Sequence, residues 1–104
     1  MKKYVVKMND QADFDLLQIY DYIYNVLENP LAAKKVTNGI LDKCAKLAFF
    51  PEANPAHIMH DKYEFRFSHF GNYTAIYIVN SDKHEVIIYR IVYSRRNIKL
   101  LLNS

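Results

Sequence analysis

Arg95 and Arg96 stand side by side just beyond a strand-like run, Val86-Ile87-Ile88-Tyr89-Arg90-Ile91-Val92-Tyr93, that breaks at Ser94. A guanidinium is planar, permanently charged and forked, so it fits a phosphate or a carboxylate with two parallel hydrogen bonds. Two adjacent side chains cannot both follow one buried face, so at least one of this pair must meet solvent. They also open a short helix expected over Ser94 to Leu102, where positive charge opposes the helix dipole; that favours a binding role over a stabilising one. Tyr93 places a phenol beside them. Arg66 and Arg90, the other two arginines, lie on strand-like segments. Arg90 sits among aliphatic residues, so it is either near a strand end or paired with a carboxylate, from Glu64 or from an acid of the first helix. Arg66, Arg90, Tyr93, Arg95 and Arg96 are expected to converge on one water-accessible patch.

Other chemistries find little support. With only two glycines, Gly39 and Gly71, no Gly-rich phosphate loop can form, and neither a Ser-His-Asp signature nor a hydrolase elbow occurs. His57-x-x-His60, with Cys44 and Asp61, lacks a second compact ligand pair, so no metal site is expected, nor any cofactor. Tyr20, Tyr22 and Tyr24 read as core and hairpin-packing groups rather than as platforms for bases.

Around these residues, 104 positions are the size of one domain, 1–104, with 51% hydrophobic residues and enough chain to bury a core without staples. The single cysteine, Cys44, excludes an internal disulfide. No run approaches the ~20 apolar residues of a membrane span, and the start of the chain lacks a signal-peptide core, so a soluble, cytoplasmic protein is expected. Charge is uneven. Residues 1–56 balance seven lysines against seven acids, whereas residues 57–104 hold seven basic residues, four acids and all four histidines. That asymmetry points to an anionic partner, a nucleic acid or an acidic protein segment; a scattered solvated surface is the plainer reading.

The elements that would position the site follow from periodicity. Tyr4 to Met8 reads as a short strand, and Asn9-Asp10 starts a helix with Asp10 as a possible cap. Ala12, Leu16, Ile19, Ile23 and Leu27 recur at helical spacing. Asn29-Pro30 ends that helix and opens a second, through Ala33, Val36, Ile40, Cys44 and Leu47, which Phe49-Phe50-Pro51 stops. Gly39 inside it suggests a close approach by another helix. Pro51 to Asp61 reads as a loop. Three strands follow, Tyr63 to Phe70, Tyr73 to Asn80 and Glu85 to Tyr93, the first two joined by a Gly71-Asn72 turn. Alternation puts Ile88, Arg90 and Val92 on one face of the last. The order β-α-α-β-β-β with a short C-terminal helix predicts an α+β fold, a mostly antiparallel sheet packed on a helical hairpin.

Five stretches carry a family resemblance. Ala12-Asp13-Phe14-Asp15-Leu16-Leu17-Gln18-Ile19-Tyr20-Asp21-Tyr22-Ile23, then Asn29-Pro30-Leu31-Ala32-Ala33, then Leu47-Ala48-Phe49-Phe50-Pro51 resemble the RelE/ParE superfamily of bacterial type II toxin–antitoxin toxins. So do Arg66-x-x-x-x-Gly71-x-Tyr73 and Arg90-Ile91-Val92-Tyr93-Ser94-Arg95-Arg96. The resemblance implies the β-α-α-β-β-β core, a cognate antitoxin forming a hetero-oligomer with the toxin, and growth arrest when the toxin is free. RelE-like members cut mRNA on the ribosome without a metal, by 2′-OH attack, using Lys and Arg on central strands and a late Tyr. Here Glu64 and Arg66 stand in place of a Lys-x-Lys pair, Thr74 in place of an Arg, and Val92 where a YoeB-like branch has His. Arg66, Arg90, Arg95 and Tyr93 could still hold a phosphate, with Glu64 or a nearby His as base. The incomplete set favours the ParE branch, a protein-binding toxin acting on DNA gyrase; an endoribonuclease acting on ribosome-bound mRNA is the alternative. A stand-alone binding domain without toxicity is a third reading.

Overall fold

Asn9 opens the first helix, its side-chain oxygen accepting the Ala12 N–H at 2.9 Å, with Asp10 and Asp13 placing negative charge in the first turn. The expected cap, Asp10, is instead the first helical residue. In the computed structural model, which describes residues 3–60 and 63–96, the elements are β1 (Val5–Met8), α1 (Asp10–Asp21), a π-helical turn (Tyr22–Val26), α2 (Pro30–Ala45), a 3-10 turn (Lys46–Ala48), β2 (Ala56–His60), β3 (Tyr63–Phe70), β4 (Tyr73–Asn80) and β5 (Glu85–Tyr93). Asn29 caps α2 by accepting the Ala32 N–H at 3.1 Å, and Pro30 occupies the first turn, where its missing N–H leaves no bond unmade. Glu28, at φ 52°, makes the sharp link that folds α2 back on α1.

The sheet has the order β1-β5-β4-β3-β2. β1 runs parallel to β5, and every other pairing is antiparallel. Gly71 takes φ 55° in the β3–β4 turn, a conformation open to Gly without a Cβ penalty. The fold is thus α+β, a helical hairpin on a mostly antiparallel sheet.

Two features depart from expectation. The segment read as loop contains β2, an edge strand following Pro55, where a missing N–H is tolerated. And β5 carries a bulge: Ile76 pairs with Arg90 but Tyr77 with Ile88, leaving Tyr89 extra. Alternation breaks there. Ile88 and Ile91 join the core between helices and sheet, with Ala12, Ile40, Leu47 and Tyr77, while Val92 joins a small cluster with Phe65 and Ile76. Thr74 to Tyr77 are consequently buried in succession, so the central strand is covered on both faces. The expected C-terminal helix begins at Ser94, where the chain makes a turn; the remainder of that expectation lies outside the described residues.

Gly39 does mark a close approach, but by a sheet side chain rather than a helix. A Cβ there would stand 2.7 Å from Cε2 and 2.8 Å from Cε1 of Phe70, and nearer still to Cζ. Gly39→Ala gains roughly 1 kcal/mol of helix propensity but overpacks the contact by about 1–3 kcal/mol. The single variant is expected to lose stability in urea unfolding. In a Phe70→Leu background the same change should become neutral or stabilising.

Candidate functional site: a tyrosine-lined groove

Where β1 stops at Met8, the edge of β5 is left without a strand. Helix α1 takes over. The Asn9 N–H donates to the Ile88 carbonyl at 3.1 Å. One turn on, the Asp15 carboxylate receives the Ile91 N–H at 3.0 Å and both arms of Arg90, Nε at 2.7 Å and Nη2 at 3.1 Å. The hydrogen bond from Arg90 to Asp15 holds that guanidinium more firmly cationic than usual. Of the alternatives for Arg90, the acid of the first helix is the partner, and the cation is spent in the fold.

Beyond this clasp lies a groove of about 640 Å³ between the end of α1 and the end of β5. The π turn shapes one wall: the Leu27 N–H donates to the Tyr22 carbonyl at 3.1 Å, five residues back, so both residues line the groove. An α-helical register would instead have placed Leu27 in line with Ile23, in the core. Leu27 is 55% exposed and Tyr22 53%. The other wall is Tyr73, Ile91, Tyr93 and Arg96. Tyr73 and Tyr93 meet edge to face at 6.0 Å. Burial, then the neighbouring Tyr93 and Tyr22 phenols, pushes the Tyr73 hydroxyl above the ordinary tyrosine range. The groove thus offers apolar walls, three phenols, the polar side chains of Asp15 and Gln18, and one cation, Arg96.

The five expected site residues do not form a single patch. Tyr93 and Arg96 share the groove, and Arg90 backs it through Asp15. Arg95 is exposed in the adjoining turn, and neither it nor Arg96 forms an ion pair with a described residue. Arg66 stands apart. Its Nη1 donates to the carbonyls of Asn54 and, at 3.5 Å, Glu52, and Glu64 lies 3.9 Å from Nη2. Tyr77 fastens the same loop, donating to the Pro51 carbonyl at 2.8 Å and accepting from Asn54 at 3.1 Å. Arg66 therefore staples the 51–55 loop, in a separate depression lined also by Glu52, Glu64 and Ile78. The expectation of convergent arginines is corrected: a carboxylate and two carbonyls claim two of the four.

Tyr22, Leu27 and Tyr73 belong to the groove and were not expected there. From periodicity Tyr22 reads as a packing residue of an unbroken helix, and the π turn is what brings it to the groove. Tyr73 closes the Arg66-x-x-x-x-Gly71-x-Tyr73 pattern, a signal that could have marked it. Thr74, in the place of an Arg, is fully buried and hydrogen-bonded to His69 and Ser94, each at 2.8 Å. Among the described residues no three His, Cys, Asp or Glu side chains gather as metal ligands. The side chains of His57 and His60, and all of Asp61, lie outside the described residues. Burial pushes the Cys44 thiol up to about 11, which keeps it protonated and unreactive. No helix among the described residues is long and apolar enough to cross a membrane.

A helical hairpin on one face of a mostly antiparallel sheet, with a groove where the first helix meets the end of the last strand, defines a RelE/ParE-type toxin fold. The family model for the ParE toxin of the type II toxin–antitoxin system parDE matches residues 6–98, and the chain belongs to that family. Among solved structures, it is similar to a chain of the chromosomal ParDE system of P. aeruginosa, with TM-score 0.72 and 22% identity, covering 89% of this chain and 98% of that one. A chain of the RelBE2 toxin–antitoxin complex of Mycobacterium tuberculosis gives TM-score 0.68 and 15% identity, over 89% and 93% of the two chains. One from the archaeal RelE–RelB complex of Pyrococcus horikoshii OT3 gives 0.65 and 19%, over 92% and 99%. At these identities the likeness is one of fold. No curated protein matches the chain.

Proposed function

We propose that this chain is a type II toxin, held inactive by a cognate antitoxin, which arrests growth when free by binding DNA gyrase. The observation that carries this reading is the commitment of two of the three arginines that phosphoryl chemistry would need. Arg90 is clasped by Asp15 and Arg66 by loop carbonyls. The buried hydroxyl of Thr74 replaces the arginine of a nuclease. Transition-state stabilisation at a phosphate requires charge aimed at the developing oxyanion, and these groups are turned elsewhere. What is left at the surface is the groove with Tyr22, Leu27, Tyr73, Tyr93 and Arg96, suited to anchoring a protein side chain. The RelBE2 and RelE–RelB complexes among the structural neighbours support an antitoxin as one partner.

The test is supercoiling of relaxed plasmid by purified gyrase. Added toxin is expected to block it, and Tyr93→Ala with Leu27→Ala to relieve the block by about tenfold in toxin concentration, the loss of one to two interface anchors. Unchanged supercoiling at saturating toxin rejects gyrase as the target. Codon-positioned cuts in primer extension after induction would instead establish the ribosome-dependent endoribonuclease.

A further inference from the structure

The last turn before the described chain ends holds a set of polar groups that the groove does not use. His69 Nδ1 and Thr74 Oγ1 are 2.8 Å apart, and Thr74 Oγ1 and Ser94 Oγ are 2.8 Å apart. His69 and Thr74 face each other across β3 and β4, and Thr74 faces Val92 across β4 and β5. The middle member is fully buried while His69 and Ser94 are exposed. Next in sequence, Arg95 has an exposed side chain and a backbone N–H that donates to no described residue, whereas the amides on either side are taken, Ser94 N–H by the Asn72 carbonyl at 2.8 Å and Arg96 N–H by the Tyr93 carbonyl at 3.0 Å. One turn therefore carries an amide with no acceptor among the described residues, a guanidinium and a hydroxyl whose direction of donation is set from within the sheet.

We propose that Ser94 and Arg95 bind a phosphate group, and that occupancy is coupled through Thr74 to protonation of His69. The hydroxyls must point in series. With His69 neutral and accepting at Nδ1, Thr74 donates to it and Ser94 donates to Thr74, so the Ser94 proton is turned inward. With His69 charged, Nδ1–H donates to Thr74, Thr74 donates to Ser94, and the Ser94 proton is free to point outward. A bound oxyanion needs that proton and so selects a histidine protonated at Nδ1; of the two such forms, the neutral Nδ1–H tautomer and the imidazolium, the charged one also attracts the anion. Linkage then requires the reverse effect: the phosphate must bind more tightly as pH falls through the His69 pKa.

Several elements surround His69. Along β3, the Phe67 ring stands nearly perpendicular to the imidazole with centroids 6.4 Å apart, and Arg66 and Glu64 lie further on. Across the sheet come Thr74, Val92 and Ser94, and from the turn Arg95 and Arg96. On the opposite face, Lys43 of α2 lines a small cavity with Ser68, Phe70 and Tyr73. Among the described residues no carboxylate forms an ion pair with the imidazole, so a bound anion supplies the opposite charge that it lacks.

The experiment is a titration of the His69 imidazole by NMR in the full chain, with dimethyl phosphate or inorganic phosphate against sodium chloride of equal ionic strength. Dimethyl phosphate keeps one charge across the range, so any pH dependence belongs to the protein. Phosphate is expected to raise the His69 pKa by roughly half a unit or more, as an opposite charge within reach does, and to shift the Arg95 amide. Ser94→Ala and Thr74→Val should each abolish most of the rise, while Thr74→Val leaves Arg95 able to bind. A diester that binds more tightly than inorganic phosphate marks a nucleic-acid backbone as the source, and the reverse order marks a free phosphate or nucleotide. A His69 titration that phosphate leaves unmoved, or a rise equally large in both variants, overturns the proposal.

Discussion

Replacing Asp15 with alanine is expected to destabilise the fold by about 3 kcal/mol, the low end of the range for breaking a buried ion pair by removing one partner. Its side chain is 10% exposed and that of Arg90 18%, so little water can replace the lost contacts. The deletion leaves two groups wanting, the Arg90 guanidinium and the Ile91 N–H. The reverse truncation, Arg90→Ala, should be milder, because Asp15 keeps the Ile91 N–H and gains some solvent. Asp15→Asn should fall between the two, since an amide oxygen still accepts from Ile91 but the charge is gone. For a domain of this size 3 kcal/mol lowers the melting temperature by roughly 12 °C. Urea unfolding of the three single variants and the Asp15→Ala/Arg90→Ala pair closes a double-mutant cycle, in which a coupling above ~1 kcal/mol is expected. A coupling near zero would mean that the clasp is incidental and β5 is held by β4 alone.

The clasp also explains which features were legible from residues alone. Signals confined to a few neighbours could be read: Asn29-Pro30 as a helix joint and Gly71-Asn72 as a hairpin turn. The chemistry of each needs no distant partner. Features decided by pairing could not. The strand Ala56–His60 has little alternation of its own and exists because β3 offers an edge. The bulge at Tyr89 arises from the register between β4 and β5, and it sends Ile88 and Val92 to opposite clusters. The π turn at Tyr22–Val26 adds a residue without a local breaker, so Leu27 moves from the expected core face to the groove. For the site, arginines could be recognised as candidates by type, but their availability depends on which acceptors the fold brings to them. Asp15, 75 residues from Arg90, and the carbonyls of Glu52 and Asn54 are such acceptors.

That sorting fixes the second large effect. Only Arg95 and Arg96 remain as exposed arginines without a described ion-pair partner, so reversal of these two should remove the arginine share of the charge dependence of antitoxin binding. Arg95→Glu with Arg96→Glu takes the formal net charge from +3 to −1, two units per reversal. An acidic antitoxin segment would then meet repulsion in place of attraction. Affinity is expected to fall on the order of 100-fold, about 2.7 kcal/mol. Because both side chains are exposed, most of the loss should appear in the association rate and shrink with added salt. Folding stability should stay within about 0.5 kcal/mol, as for other surface changes. Arg66→Ala should do the opposite, loosening the 51–55 loop and lowering stability while leaving the salt dependence of binding intact. Association kinetics at 50 mM and 500 mM salt, about a threefold change in screening length, separate the two behaviours. If double reversal leaves both affinity and salt dependence untouched, the antitoxin grips elsewhere, and the exposed apolar residues of the hairpin, Phe14, Leu17 and Leu31, become the surface to mutate.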